Sequence, residues 1–372
     1  MRIIVCPDSF KGTLSAREVA SCIENGIRRA VPDATVIKLP IADGGEGTCD
    51  VLGVRKEHVT VSGPYREPLE AYIGFLGEDC DRAVIEMALC AGLPLVGDNK
   101  NPEATTTYGV GEMIRHALDM GAKEILLCLG GSATNDCGCG MAAALGATFT
   151  DNNGKSFIPT GGTLCSITSI DLSGMDARLA SVKITAMCDV KNPLYGESGA
   201  AYVYAPQKGA DADCVRRLDD GLRNFSSVCT SSLGVNVSTL EGGGAAGGMG
   251  AGVIALLGGR LTRGILAVLD ICRFDELICG CDLVVSGEGR FDSQSLCGKV
   301  IDGIGERLAD TDIPFVAICG SVDRSMTDLG RLNAVFSIQT EPLEFSEAIK
   351  HTKEGLSFVS ENICSLLLKK TT

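Results

Sequence analysis

Four glycine-bearing segments, each standing directly behind a short apolar run, limit most strongly what this sequence can fold into. They are PDSFKGT (7–13), ADGGEGT (42–48), LGGSATND (129–136) and SGEGRFDSQS (286–295). The runs before them, residues 2–6, 35–41, 124–129 and 282–286, are rich in Val, Ile and Leu. Glycine allows the chain to turn tightly and lets a ligand approach the backbone. In open α/β sheets, ligands bind beyond the carboxyl ends of strands. A chain that repeats strand, glycine turn and helix therefore reads as an α/β fold with its chemistry at the strand ends.

Between the first two runs, Val19, Ala20, Ile23, Ile27 and Ala30 recur at helical spacing,. Ser15 with Glu18 three residues on forms a capping box, and Pro32 closes the helix,. The opening is thus a βαβ unit with a right-handed crossover. The same alternation returns near the end: strand 282–286, helix 296–308, strands 314–319 and 334–338, and an amphipathic helix 344–368. Residues 58–87 instead break into extended pieces between turn residues, which predicts antiparallel pairing. Further strands are expected at 124–129 and 182–187. The expected architecture is a doubly wound parallel-sheet (Rossmann-like) domain, residues 1–60 plus 276–372. It is split by a large inserted second α/β domain, residues 61–275, and residues 2–41 and 282–338 share one sheet.

A chain of 372 residues with 45% apolar content suits two such domains,. The formal charge of −14 repels polyanions and anionic membranes, so nucleic acid and membrane are set aside as partners,. The longest uncharged run, 242–259, holds nine glycines among 18 residues and cannot serve as a membrane span,. The apolar stretch of MRIIVCPDSFKG is too short for a signal peptide, so a cytoplasmic location is expected,. The 18 cysteines include C-x-C pairs (137/139 and 279/281) but no C-x-x-C, and His58, His116 and His351 are scattered. That pattern speaks for thiols in a reducing cell and against zinc.

The first glycine segment places Asp8, Ser9 and Lys11 at a strand end. Lys11 suits a phosphate or carboxylate, while Asp8 or Ser9 could equally cap the next helix. In the second, Asp43 and Glu46 flank Gly44 and Gly45, an arrangement that can hold Mg²⁺ or a hydroxyl. In the third, the N–H groups around Gly130, Gly131 and Ser132, with Asn135 and a helix behind, suit an anion. It is not a Walker loop, since no Lys follows at the required spacing. In the fourth, Arg290 offers a bidentate fork and Asp292 a metal ligand or base, with Glu288 beside them. The competing reading there is a surface Arg290–Asp292 pair of little energetic value. CDVKNP (188–193) brings Asp189, and PQKG (206–209) brings Lys208. GGGAAGGMG (242–250), with Gly247 and Gly248, is either an anion cradle or tight helix packing. No histidine lies near any of these segments. Carboxylates, Lys and Arg among glycine loops fit phosphoryl transfer.

With these residues in view, the chain resembles the glycerate kinase type 1 family. The matching stretches are PDSFKG (7–12), PIADGGEGT (40–48), LGGSATND (129–136), CDVKNPLYG (188–196), PQKGA (206–210), GGGAAGGMG (242–250) and SGEGRFDSQSLCGK (286–299). The resemblance implies Mg²⁺-assisted transfer of the ATP γ-phosphate to D-glycerate in a two-domain enzyme with its active site in the cleft. Of the products, 2-phosphoglycerate is favoured over 3-phosphoglycerate. The sequence leaves the oligomeric state open, and a homodimer is one arrangement it permits. The residues expected to act in catalysis are Asp189 as the carboxylate base, Lys11 and Arg290. Those expected at substrate are Asp8, Ser9, Lys11, Asp43, Gly44, Arg290 and Asp292. ATP would meet Gly130, Gly131, Ser132, Asn135, Lys208, Gly247, Gly248 and Glu288, and the metal would meet Asp43 and Asp292. One departure stands out: where the family has two glycines after Asn135-Asp136, this chain has Cys137-Gly138.

Two other classes compete. A nucleotide-dependent oxidoreductase would need G-x-G-x-x-G after the first strand, which is missing,. A non-catalytic sensor of a hydroxy acid would lack the acids Asp43, Glu46, Asp189, Glu288 and Asp292, all of which are present.

Overall fold

Short β-branched runs from both ends of the chain pair into one five-stranded parallel sheet. Its order is Ala334–Ser337, Phe315–Cys319, Leu283–Ser286, Arg2–Val5 and Thr35–Lys38. Ile3 stands opposite Leu283 and Val36. The structure is a computed structural model and describes residues 1–10, 13–41, 47–296, 300–341 and 343–368. It divides into two units, one of Met1–Asp43 with Val268–Thr372 and one of Gly44–Ala267.

In the first unit, helix Ala16–Ala30 begins at the expected capping box of Ser15 and Glu18. Val19, Ile23 and Ile27 are fully buried in a core with Ile3, Val5, Leu283 and Ile318. Each such side chain contributes about 1.5–3 kcal/mol by leaving water. Helix Thr352–Leu368 crosses the outer side at Gly26. A Cβ there would lie 2.0 Å from the carbonyl oxygen of Ser357, so only glycine permits the approach. The closing helix expected over 344–368 is interrupted, however. It consists of Phe345–Ala348, a 3₁₀ turn Ile349–His351, and Thr352–Leu368. The Thr352 hydroxyl donates to the carbonyl of Ile349 at 2.8 Å, a local side-chain bond that competes with regular helix,. Of the helix expected over 296–308, the described residues show Val300–Arg307, with Leu296 ending a 3₁₀ turn Ser293–Leu296.

The second unit holds a six-stranded mixed sheet in the order Arg260–Thr262, Lys183–Met187, Glu124–Cys128, Arg82–Glu86, Pro68–Leu76 and Arg55–Ser62. The antiparallel pairing read for 58–87 is present, with His58 opposite Tyr72 and Phe75 opposite Ala83. From Arg82–Glu86 onward the strands run parallel. Phe75, Ile85, Met113, Ile114, Ile125, Leu127 and Met141 fill the core over this sheet. A second cluster forms around helix Ala212–Val228, where Leu218, Leu222 and Phe225 meet Phe149 and Leu164. Among the described residues no helix is long and apolar enough to cross a membrane.

Candidate functional site

The parallel strands of the first unit end together, and their carboxyl ends carry Asp8, Ser9, Glu288, Arg290 and Asp292. The chain after Arg2–Val5 is held to the chain after Leu283–Ser286 by the Asp8 N–H donating to the Gly287 carbonyl at 2.8 Å. The Ser9 N–H donates to Asp8 Oδ1 at 2.6 Å, so Asp8 shapes its own turn. Gly287 has no alternative, because a Cβ there would lie 2.2 Å from the Ile318 carbonyl oxygen. Arg290 is exposed and lies between two carboxylates, 3.7 Å from Asp292 and 3.3 Å from Asp323. The Ser325 backbone N–H, its hydroxyl and then Arg290 hold the Asp323 carboxyl below its usual range. The Asp292 N–H donates to Ser295 Oγ at 3.0 Å. Lys11, Asp43, Gly44 and Glu46 lie outside the described residues.

In the second unit the strands Arg82–Glu86, Glu124–Cys128 and Lys183–Met187 are parallel neighbours, with Glu86 opposite Cys128 and Met187 opposite Cys128. Their carboxyl ends lead into residues 87–93, the glycine loop 129–138, and Cys188-Asp189. Residues 87–93 support the loop directly. The Leu93 N–H donates to the Gly131 carbonyl at 2.8 Å, and the Ala133 N–H to the Ala91 carbonyl at 2.8 Å. Gly131 has φ 75°, a left-handed conformation that glycine takes without strain,. Gly131 is exposed and Gly130 half-buried, whereas Ser132 is buried.

Behind the loop the polar groups are internal. Lys208 is only 2% exposed, and its ammonium donates to Ser132 Oγ at 2.8 Å and to the Thr134 carbonyl at 2.7 Å. Burial lowers its pKa to about 7, against a smaller opposing pull from Asp136. A neutral amine has two N–H groups for these two acceptors, while the ammonium carries a third proton. Asp136 is also buried. Its carboxylate accepts from the Thr107 N–H (2.8 Å) and hydroxyl (2.9 Å), the Gly138 N–H (3.1 Å) and the Gly140 N–H (3.2 Å). Desolvation raises its pKa, and these bonds oppose the rise. The start of helix Cys139–Ala144, read from the sequence as part of an anion site, is therefore filled by the chain's own carboxylate. Cys137 takes φ 53°, the strained region its glycine-to-cysteine departure brings into question,.

The 242–250 run packs against this loop. Ala246, Gly247 and Gly248 are all left-handed (φ 52°, 70° and 88°). A Cβ at Gly247 would lie 2.0 Å from the Thr134 carbonyl oxygen, and one at Gly248 would lie 2.6 Å from Cys137 Sγ. Asn192 ties the 188–193 segment to the same run, with its carbonyl accepting from the Gly244 N–H at 3.1 Å. Asp189 is exposed, and its Oδ1 accepts from the Gly264 N–H at 2.7 Å, at the start of helix Gly264–Ile271.

The fit to ATP and Mg²⁺ can be judged from the donors present. Both amide atoms of Asn135, wholly buried, and the Thr134 hydroxyl have no hydrogen-bond partner among the described residues. Such orphaned groups cost about 1–3 kcal/mol each and signal a ligand or ordered water nearby. With the accessible glycines 130 and 131 ahead of them, the loop fits a polyphosphate. Among the described residues no group of three or more His, Cys, Asp or Glu side chains could hold a metal alone. Mg²⁺ commonly takes one or two carboxylates and completes its shell with phosphate and water, a role Asp292 can fill. Two carboxylates at these strand ends escaped the sequence reading: Asp136, which fills the start of helix Cys139–Ala144, and Asp323, which pairs with Arg290. Asp323 follows the strand Phe315–Cys319 in the stretch GSVD, and the strand-end rule applied elsewhere would have found it.

Comparison with known proteins follows the same lines. Residues 3–368 match the model of the glycerate kinase family. A glycerate kinase of Bacillus cereus is 46% identical over 375 residues, covering 98% of each chain. The glycerate 2-kinase of Escherichia coli is 41% identical over 374 residues, covering 99% of this chain and 98% of its own. A crystal structure from Salmonella typhimurium LT2, provisionally identified as glycerate kinase 2, superposes with a TM-score of 0.86 at 42% identity. It covers 100% of this chain and 99% of that one.

Proposed function

This chain belongs to the glycerate kinase family, and on that premise we propose that it transfers the γ-phosphoryl group of ATP to D-glycerate, giving 2-phosphoglycerate in preference to 3-phosphoglycerate. The observation that carries the reading is the edge shared by two parallel strands. Met187 and Cys128 are in register, so Asp189 and the Gly130–Gly131 turn leave the sheet side by side. A carboxylate beside a phosphate-accepting glycine loop is the pairing phosphoryl transfer to a hydroxyl needs.

In this reading Gly130, Gly131 and Ser132 receive the nucleotide phosphates through backbone and hydroxyl. Lys208 holds that loop from within, the amide of Asn135, unpartnered among the described residues, is available to the phosphates, and Gly247 and Gly248 leave the loop room. Glu288, at the strand ends of the first unit, is the remaining residue for the nucleotide. Asp8, Ser9, Lys11, Asp43, Gly44, Arg290 and Asp292 receive glycerate, with Lys11 and Arg290 neutralising its carboxylate and the transferring group. Asp43 and Asp292 are the carboxylates for Mg²⁺, which when bound neutralises phosphate charge. Asp189 takes the proton of the attacking hydroxyl as its oxygen bonds to the γ-phosphorus, and the bond to the β-phosphate oxygen breaks to release ADP. The reaction belongs to the cytoplasm, where ATP is at hand. D-Glycerate-dependent ADP release, measured in a coupled assay with Mg²⁺ present, tests the proposal. ADP release that ignores glycerate would sink it.

Arg290→Ala should raise the KM for D-glycerate by about tenfold or more, the effect of one hydrogen bond to a charged group. Arg290→Lys should recover only part of this, because lysine lacks the two-pronged fork. Steady-state kinetics on the two variants check it. Wild-type kinetics in Arg290→Ala would reduce Arg290 to a surface partner of Asp292 and Asp323.

A further inference from the structure

Asp189 follows the strand Lys183–Met187 directly, and the chain behind it is anchored at Asn192. Three bonds converge on that residue. Its carbonyl accepts from the Gly244 N–H at 3.1 Å, its Nδ2 donates to the Ser198 carbonyl at 2.8 Å, and its Oδ1 accepts from the Tyr204 hydroxyl at 2.6 Å. The approach to Gly244 needs glycine, since a Cβ there would lie 2.3 Å from the Pro193 carbonyl oxygen. Ahead of Asp189, Cys188 Sγ donates to the Gly242 carbonyl at 3.6 Å. The chain is thus bound to residues 242–244 both before and after Asp189. The same run reaches the glycine loop, where the Gly247 carbonyl accepts from the Cys137 N–H at 3.2 Å.

Tyr204 ends helix Ala200–Tyr204 and is half-buried, whereas its neighbours Tyr202 and Val203 are exposed. A phenylalanine ring would fill the same space, so what the hydroxyl adds is its bond to Asn192. Burial, and then the Cys188 thiol, raise the phenol above its usual range, so it stays protonated and donates. The next turn, Pro206–Lys208, brings the Lys208 ammonium to Ser132 and Thr134. Residues 204–208 therefore hold the segment behind Asp189 with one side chain and the glycine loop with another.

We propose that Tyr204 is a positioning residue for the reaction: through Asn192 it holds the turn behind Asp189, and so keeps that carboxylate beside the glycine loop that Lys208 supports. This rests on the reading of Asp189 as the base. Tyr204 acts through the side chain of Asn192 and takes no part in the proton transfer itself. Catalysis is sensitive to such support, because a displacement of about 1 Å caused by a change far from the chemistry can cost up to about 10²-fold in rate.

The test is a double-mutant cycle of Tyr204→Phe with Asp189→Asn in the full chain, read as kcat, the KM for ATP and the melting temperature. Phenylalanine keeps the ring and removes only the hydroxyl. Tyr204→Phe should lower kcat by about tenfold, the scale of one lost hydrogen bond. The KM for ATP should stay within about twofold of wild type, because Lys208 keeps its own bonds to the loop. In the Asp189→Asn background the same substitution should change kcat by less than about twofold, since the group it positions has already lost its role. Asn192→Ala removes both side-chain bonds and leaves the one to its carbonyl. It takes the place of Tyr204→Phe in the cycle if that variant does not accumulate. Equal losses of kcat in the two backgrounds would put the effect outside Asp189 and overturn the proposal. Wild-type kcat in Tyr204→Phe, whether or not it melts earlier, makes the phenol a structural contact and also overturns it, leaving the reading of Asp189 intact. Wild-type kcat in Asp189→Asn overturns that reading and the proposal with it.

Discussion

Asp189→Asn should lower kcat by roughly 10²–10⁴-fold, the range for losing a general base, while the KM for ATP and the melting temperature stay nearly unchanged. The variant is informative because Asp189 also makes a scaffold contact. Its Oδ1 accepts from the Gly264 N–H, as an N-cap would. Asparagine caps helices about as well as aspartate, so its side-chain oxygen can keep that bond while losing the capacity to accept a proton. Function and scaffold therefore separate in a single substitution. Asp189→Ala removes both, and should add a loss of about 1 kcal/mol in stability to the kinetic defect. If Asp189→Asn keeps its activity, the residue is a cap, and the base is to be sought at Asp8, Asp43 or Asp292.

Between pH 7 and 9.5, wild type should gain on the order of 3 kcal/mol in stability relative to Lys208→Met, from the linkage between proton binding and folding. Burial holds the folded Lys208 at about 7, against 10.5 for an exposed lysine. Over the interval between those values the unfolded chain keeps a proton that the folded chain has released. The unfolded state then binds more protons, so stability rises with pH. The cost of burying the charge is fully present below pH 7 and fades as pH climbs toward 10.5. Other titrating groups, including the many thiols, are common to both proteins and cancel in the difference. Urea midpoints at several pH values for the two proteins provide the measurement. Parallel curves would mean that Lys208 does not titrate in this window. Lys208 should also tie loop order to pH, because its two acceptors, Ser132 Oγ and the Thr134 carbonyl, belong to the glycine loop.

Features encoded within a few residues were legible before the fold was known. Ser15 and Glu18 specify the start of their helix by themselves, and the structure has that capping box. The alternating pieces of 58–87 specify antiparallel strands, and the glycine segments mark strand ends because turn chemistry is local. What could not be read joins residues distant in sequence. Glu86 appears in the sequence as one acid closing an apolar run, and nothing near it announces a bond to Gly47, 39 positions earlier. Lys208 sits in the polar-looking turn PQKG, the kind of place where a lysine is usually solvated, yet it is buried. Asp136 reads as one more polar residue of a loop, although it fills the helix start that the sequence offered to a ligand. The break at Ile349–His351 is accompanied by one local bond from the Thr352 hydroxyl, a detail too small for an amphipathic pattern to show.

Phosphorus NMR of a mixture of the protein, Mg²⁺, ATP and D-glycerate tests the assignment of glycerate phosphorylation most directly. The ATP signals should give way to those of ADP and, in equal amount, to one phosphomonoester resonance matching authentic 2-phosphoglycerate. Unchanged ATP, or ADP with inorganic phosphate and no phosphomonoester, would contradict it.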